Sequence, residues 1–126
     1  MKIQLKKLRP GDTFQLTAII KQDTANSAYL EWPFNKEAAM RFITEYNTWG
    51  IWLNGSILVG AVEVKEDNET AYFVAQHYQN LGIATHAISA CREYLGDAQL
   101  WACIHPDNKA SLRVAEKTKL RVQFYR

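Results

Sequence analysis

The sequence predicts an α/β domain built on a mixed, mostly antiparallel central sheet flanked by helices. Two observations carry this reading. In "GIWLNGSILVGAVEV", two apolar runs flank Asn54-Gly55, the strongest short hairpin signal, and a third β-rich run follows the charged turn "KEDNE". From Ala71 to Ile104 the chain then reads strand, helix, strand, an order that favours a right-handed crossover between parallel strands. The antiparallel meander and the parallel unit together make the sheet mixed.

The elements follow in order. Ile3 to Leu8 alternates apolar and polar residues, as a half-exposed strand does, and Pro10-Gly11 breaks it. The region from Asp12 to Phe34 is the hardest to read. Thr13 to Lys21 suits helix or strand, with helix preferred. Asn35 is a good N-cap, Glu37 suits a first turn, and Ala39, Phe42, Ile43 and Tyr46 form an apolar stripe at helical spacing. The meander follows, its third strand running from about Thr70 to Gln76. After Gly82 the stripe Ala84, Ala87, Ile88, Cys91 and Leu95 predicts a second amphipathic helix, ended by Gly96. Gln99 to Ile104 is a buried strand, a helix opens near Asn108, and "LRVQFYR" is a last strand.

The 126 residues fit one domain, 1–126, and at 48% hydrophobic and 22% charged the chain can bury a core without disulfides or metal. A net charge of +2, with Lys and Arg scattered apart from Lys6, Lys7 and Arg9, argues against a nucleic-acid partner. No apolar run approaches the ~20 residues a membrane helix needs, and "MKIQLKKLRPGD" lacks a signal-peptide core, so a cytoplasmic location is expected. Cys91 and Cys103 sit in apolar segments without ligand spacing and read as buried free thiols; no metal site is expected.

The stretch that carries chemistry is Gln79-Asn80-Leu81-Gly82-Ile83-Ala84, where a strand meets a helix. The first backbone N–H groups of a helix have no partner inside it, and the helix dipole adds partial positive charge there. A phosphate is a natural guest. Gly82 lets a ligand approach the main chain, Ala84 keeps the next position small, and Gln79 and Asn80 offer side-chain donors. One glycine does not make a dinucleotide fingerprint, and Ile83-Ala84 does not supply the Lys and Ser/Thr of a P-loop. A glycine between strand and helix is also an ordinary structural junction.

Two motifs together resemble a known family. Gln79-Asn80-Leu81-Gly82-Ile83-Ala84 is similar to the Q/R-x-x-G-x-G/A turn of the GCN5-related N-acetyltransferases. Asn108-Lys109-Ala110-Ser111 followed by Ala115-Glu116-Lys117 resembles that family's second element, on the next helix after an intervening strand. The wording of "YFVAQHYQNLGIATHAI" is nearest the branch that acetylates ribosomal-protein and other N-termini. The resemblance spans Thr70 to Leu120. It implies central strands that splay apart and acetyl-CoA as co-substrate, its pyrophosphate on the amides of Leu81, Gly82, Ile83, Ala84 and Thr85. The pantetheine arm would pair with the backbone of Val74 and Ala75, Asn108 would bond the arm, and Ser111 would face the thioester. Tyr29, Trp32 and Phe34, in the irregular segment by Pro33, would line the acceptor pocket.

Forming an amide from a thioester needs a neutral amine, donors for an oxyanion and support for the departing thiolate. The candidate base is Glu69 first, because the family often places an acid before the strand segment at Val74, and Glu63 second; Glu69 equally reads as a solvated turn charge. His77 and His105 lie near the expected cleft, and His86 reads as a surface residue. Many relatives carry a tyrosine on the last helix, at the position of Ala115 here, so Ser111 is the remaining hydroxyl for the thiolate or simply part of the helix cap. Thr118-Lys119-Leu120 replaces the family's Leu-Gly-Phe and leaves the helix end without its usual glycine. Relatives also add a further strand, so an edge at "LRVQFYR" and a homodimer through it are expected. The expected function is acetyl transfer to a primary amine, a protein or peptide N-terminus or a small molecule, by direct attack in a ternary complex. The alternative is a CoA-binding module with little turnover.

Overall fold

A computed structural model of the protein describes residues 2–22, 35–96 and 99–124. Strand β1 (Ile3–Lys7) leads through a short turn to α1 (Thr13–Gln22); α2 (Lys36–Glu45) precedes the meander β2 (Thr48–Leu53), β3 (Ile57–Val64) and β4 (Thr70–Val74). Then come α3 (Ile83–Leu95), β5 (Trp101–Ile104), α4 (Lys109–Thr118) and β6 (Arg121–Phe124). The four strands β1-β2-β3-β4 pair antiparallel in that order, and β5 and β6 pair parallel in a separate sheet.

Among the described residues the two sheets are hydrogen-bonded at one end only. Glu69 and Trp101 form a single parallel bridge, and Trp101 N–H donates to Asn68 at 3.3 Å. Its indole N–H donates to the Asp67 carbonyl at 2.9 Å, which fastens the turn between β3 and β4 to the start of β5. Beyond that point β4 and β5 pair no further. This is the expected splay, with the two strands joined at the Glu69–Trp101 bridge.

Local chemistry explains the elements. Asn35 caps α2 by accepting from the Ala38 N–H at 2.8 Å. Asn54 and Gly55 both hold positive φ, as the hairpin requires. The uncertain segment is a helix because Leu16 and Ile20, one turn apart, bury against Phe42 and Ile43 of α2 and Phe73 of the sheet. A second core, on the other face, joins Ile51, Val62 and Val74 to Ile83, Ala87, Ile88 and Cys91 of α3 and to Ala115. The Cys91 thiol is pushed up to about 11 by burial, which makes it inert; Cys103 is only half-buried. Among the described tryptophans only Trp52 is core; Trp49 stacks on exposed Tyr94, and Trp101 serves the turn.

The missing glycine after α4 is replaced by Lys119, which adopts the left-handed conformation (φ 58°). Lys119 N–H donates to Glu116 and Leu120 N–H to Ala115, the hydrogen-bond pattern that a C-terminal glycine usually makes. A left-handed lysine carries strain that glycine lacks. Lys119→Gly is therefore expected to stabilise the fold by about 0.5–1 kcal/mol, read as a higher denaturation midpoint at unchanged slope.

Candidate active site

Strand β4 stops at Val74, two residues sooner than the sequence suggests. Ala75 N–H still donates to Val59 at 2.7 Å, but Gln76–Tyr78 then coil into a short turn. The Gln79 side chain donates to the Val74 carbonyl at 3.0 Å and holds the turn against the strand end. Because backbone groups alternate sides along an antiparallel strand, Ala75 facing β3 puts the amide and carbonyl of Val74 and Tyr72 toward β5. Of the two expected backbone partners, Val74 therefore faces the cleft, and Ala75 is committed to β3.

Asn80 (φ 63°) and Gly82 (φ 78°) both turn left-handed, and Gly82 is the N-cap of α3. The first intrahelical bond is His86 N–H to the Gly82 carbonyl at 3.0 Å. The amides of Ile83, Ala84 and Thr85 precede it in the helix, so no helical carbonyl takes them, and a glycine N-cap has no side chain to do so. A Cβ built on Gly82 meets nothing within 4 Å, so space lies open in front of that turn.

That space belongs to a cleft of about 1010 Å³, solvent mouth included. One wall is Tyr72 and Val74 of β4; the floor is Tyr78 to Thr85; the far wall is α4, with Asn108, Ser111, Arg113 and Lys117. Asn108 caps α4 by accepting the Ser111 N–H at 3.2 Å. Tyr72 Oη donates to the Ser111 carbonyl at 3.4 Å. Burial pushes the Tyr72 phenol above its ordinary range, partly opposed by a hydrogen bond with the Ser111 side chain.

The cleft thus gathers Val74, Gln79, Asn80, Gly82, Ile83, Ala84, Thr85, Asn108 and Ser111. Leu81 lies in the same turn and is 54% exposed. Tyr29, Trp32 and Phe34 lie outside the described residues. His77 and His86 are exposed, and His105 accepts from the Asp107 N–H at 3.1 Å in a surface turn, so none of the three lines the cleft. Tyr72, Arg113 and Lys117 were missed. The helix signal was available: Ala110, Arg113, Val114 and Lys117 repeat at i, i+3, i+4 and i+7, one face of α4.

The two carboxylates sit on the other face of the sheet. Ala61 and Ala71 pack in the α1–α2 core, and Glu63 pairs in register with Ala71, so Glu63, Ala71 and Glu69 share that side. Burial raises the Glu63 carboxyl above the usual range; nearby Lys65 lowers it and Glu69 raises it further. Glu69 lies 3.8 Å from the Lys65 amine. Among the described residues no group of His, Cys, Asp and Glu is arranged to hold a metal ion, and no helix is long and apolar enough to cross a membrane.

Comparison with known proteins identifies the fold and the family. No curated protein matches the chain in sequence. Solved structures share the fold. The microcin C7 self-immunity acetyltransferase MccE, solved with acetyl-CoA and AMP, superposes with a TM-score of 0.77 at 21% identity, over 93% of this chain and 77% of its own. An acetyltransferase of the GNAT family from Bacillus anthracis gives 0.76 at 22%, over 94% and 79%. The ribosomal-protein-S5-alanine acetyltransferase from Vibrio fischeri gives 0.76 at 14%, over 94% and 79%. The family model for the acetyltransferase (GNAT) domain matches residues 2–121, and the chain belongs to that family of acetyl-CoA-dependent acetyltransferases.

Proposed function

We propose that this chain transfers the acetyl group of acetyl-CoA to a primary amine by direct attack in a ternary complex. The observation that carries the reading is the bare glycine N-cap of α3, which lines a cleft between the end of β4 and α4. The pyrophosphate rests on the amides of residues 81–85, with Arg113 and Lys117 adding positive charge from the opposite wall. The arm runs along the cleft edge of β4, past Val74 and Tyr72, in the direction of the β4–β5 bridge at Glu69. Ser111 faces the thioester.

The amine then arrives from the α1–α2 face, where Glu63 lies. Glu63 is the better base. Its raised pKa makes it a proton acceptor closer to neutrality, whereas Glu69 is held beside Lys65 at the hinge of the splay. An amine loses its proton to Glu63 as it attacks the carbonyl carbon. The acceptor is a protein or peptide N-terminus ahead of a small-molecule amine, a reading supported by the fold shared with a ribosomal-protein acetyltransferase. A homodimer through the outer edge of β6, where Arg121, Gln123 and Phe124 are exposed, accompanies this reading; only monomer by light scattering at high concentration would remove it.

One observation favours a second reading, a CoA-binding module with little turnover. Ala115, where many relatives carry a tyrosine, is 2% exposed in the core and has no donor. Incubation with acetyl-CoA and a panel of N-terminal peptides and small amines, followed by CoA thiol release and product mass, separates the two. Acetylated product supports transfer; tight binding of acetyl-CoA without product across the panel supports the module.

A further inference from the structure

Resting on the acetyl transfer proposed above, we infer that the Tyr72 phenol is the hydrogen-bond donor that stabilises the departing CoA thiolate. Four observations carry this. Ala115 leaves α4 without a phenol, and it packs into the core away from the cleft. Among the cleft-lining tyrosines, Tyr78 belongs to the turn at the α3 end, where the phosphates would lie; Tyr72 stands farther along β4, between that turn and the bridge at Glu69. Its hydroxyl sits beside Ser111, whose carbonyl accepts at 3.4 Å. That bond is long, so the donor turns to a closer anion at small cost.

The step balances as follows. The amine nitrogen bonds the acetyl carbon and gives its proton to Glu63. The carbon–sulfur bond breaks and its electron pair stays on sulfur. The thiolate leaves hydrogen-bonded by Tyr72 and takes its proton from solvent through the cleft mouth, while Glu63 returns its own to solvent. A phenol held above its ordinary range keeps its proton where a thiol ionises, so Tyr72 donates a bond and remains neutral.

The test reads the thiol of CoA bound to the protein, followed by thiolate absorbance against pH, in wild type and Tyr72→Phe. A donor aimed at sulfur holds the bound thiol's pKa about one to two units lower in wild type than in the variant. Equal values overturn the inference. Desulfo-CoA should bind both proteins alike, and turnover of the variant should fall about 10- to 100-fold with KM for acetyl-CoA unchanged. If Tyr72→Phe does not fold, fluorotyrosine at position 72, a stronger donor of nearly the same shape, should lower the bound thiol's pKa further; no change overturns the inference. If wild type binds no CoA, the acetyl-transfer reading itself fails and this inference with it. If CoA binds and product forms but the thiol is indifferent to Tyr72, only the assignment of Tyr72 falls.

Discussion

Gly82→Asp is expected to abolish acetyl-CoA binding while leaving the protein folded. The affinity should fall by at least about 100-fold, or ~2.7 kcal/mol. The reasons are local. Gly82 caps α3 in the left-handed region, and a side chain there would project into open space and not into protein. The structural cost is therefore backbone strain alone, about 1–2 kcal/mol for an ordinary residue and less for aspartate, which tolerates this conformation. The functional cost is larger. A carboxylate would occupy the mouth of the anion site and repel the pyrophosphate from the amides of Ile83 to Thr85. Gly82→Ala separates the two effects, because it carries at least as much backbone strain as aspartate but no charge. It should keep most of the affinity. If Gly82→Ala and Gly82→Asp lose binding equally, strain and not charge is responsible, and the phosphate assignment weakens.

Glu63→Gln should lower kcat by about 100-fold or more, the range for removing a general base, with the KM for acetyl-CoA little changed. Glu69→Gln should lose far less. The pH profile supplies an independent check. Burial raises the Glu63 carboxyl, so the Glu63 step in the acid limb of kcat/KM should lie above the usual carboxylate range and should be absent in Glu63→Gln, leaving only the limb of the acceptor amine. The stability effect has the opposite sign. A carboxyl whose pKa is higher folded than unfolded binds its proton better in the native state. Its contribution to stability falls as pH rises from the unfolded value through the folded one. Above the folded-state pKa the half-buried carboxylate of Glu63 is thus a burden, and there Glu63→Gln should melt no lower than wild type. A lower melting temperature with matching activity loss would assign Glu63 to structure. A full-strength Glu69→Gln effect would return the base to the earlier expectation.

The part of the candidate site around the start of α3 was legible in sequence because it is local. Gly82, Ala84, Asn108 and Ser111 act through the chain segments they belong to, and a strand-to-helix junction can be read without knowing the fold. The Asn54-Gly55 turn and the Asn35 cap were legible for the same reason. What sequence could not provide was facing. Whether Val74 or Ala75 offers its backbone to the cleft depends on which one pairs with β3, a long-range fact. Glu63 and Glu69 differ by the company each keeps across β3 and β4, not by their sequence neighbours. Tyr72 looked like one more strand aromatic until α4 brought Ser111 to its hydroxyl. The sequence left the end of α4 open for another reason. A lysine took the left-handed position because its two carbonyl partners and the burial of Leu120 hold it there.

The most direct test of the central claim is to follow backbone amides by NMR while acetyl-CoA is added to the wild-type protein. The account predicts saturable shifts centred on Ile83, Ala84 and Thr85, with Val74 and Ser111 moving along the same binding curve and β1 and α2 nearly unchanged. Amides that do not respond, or responses centred away from the α3 N-terminus, would contradict it.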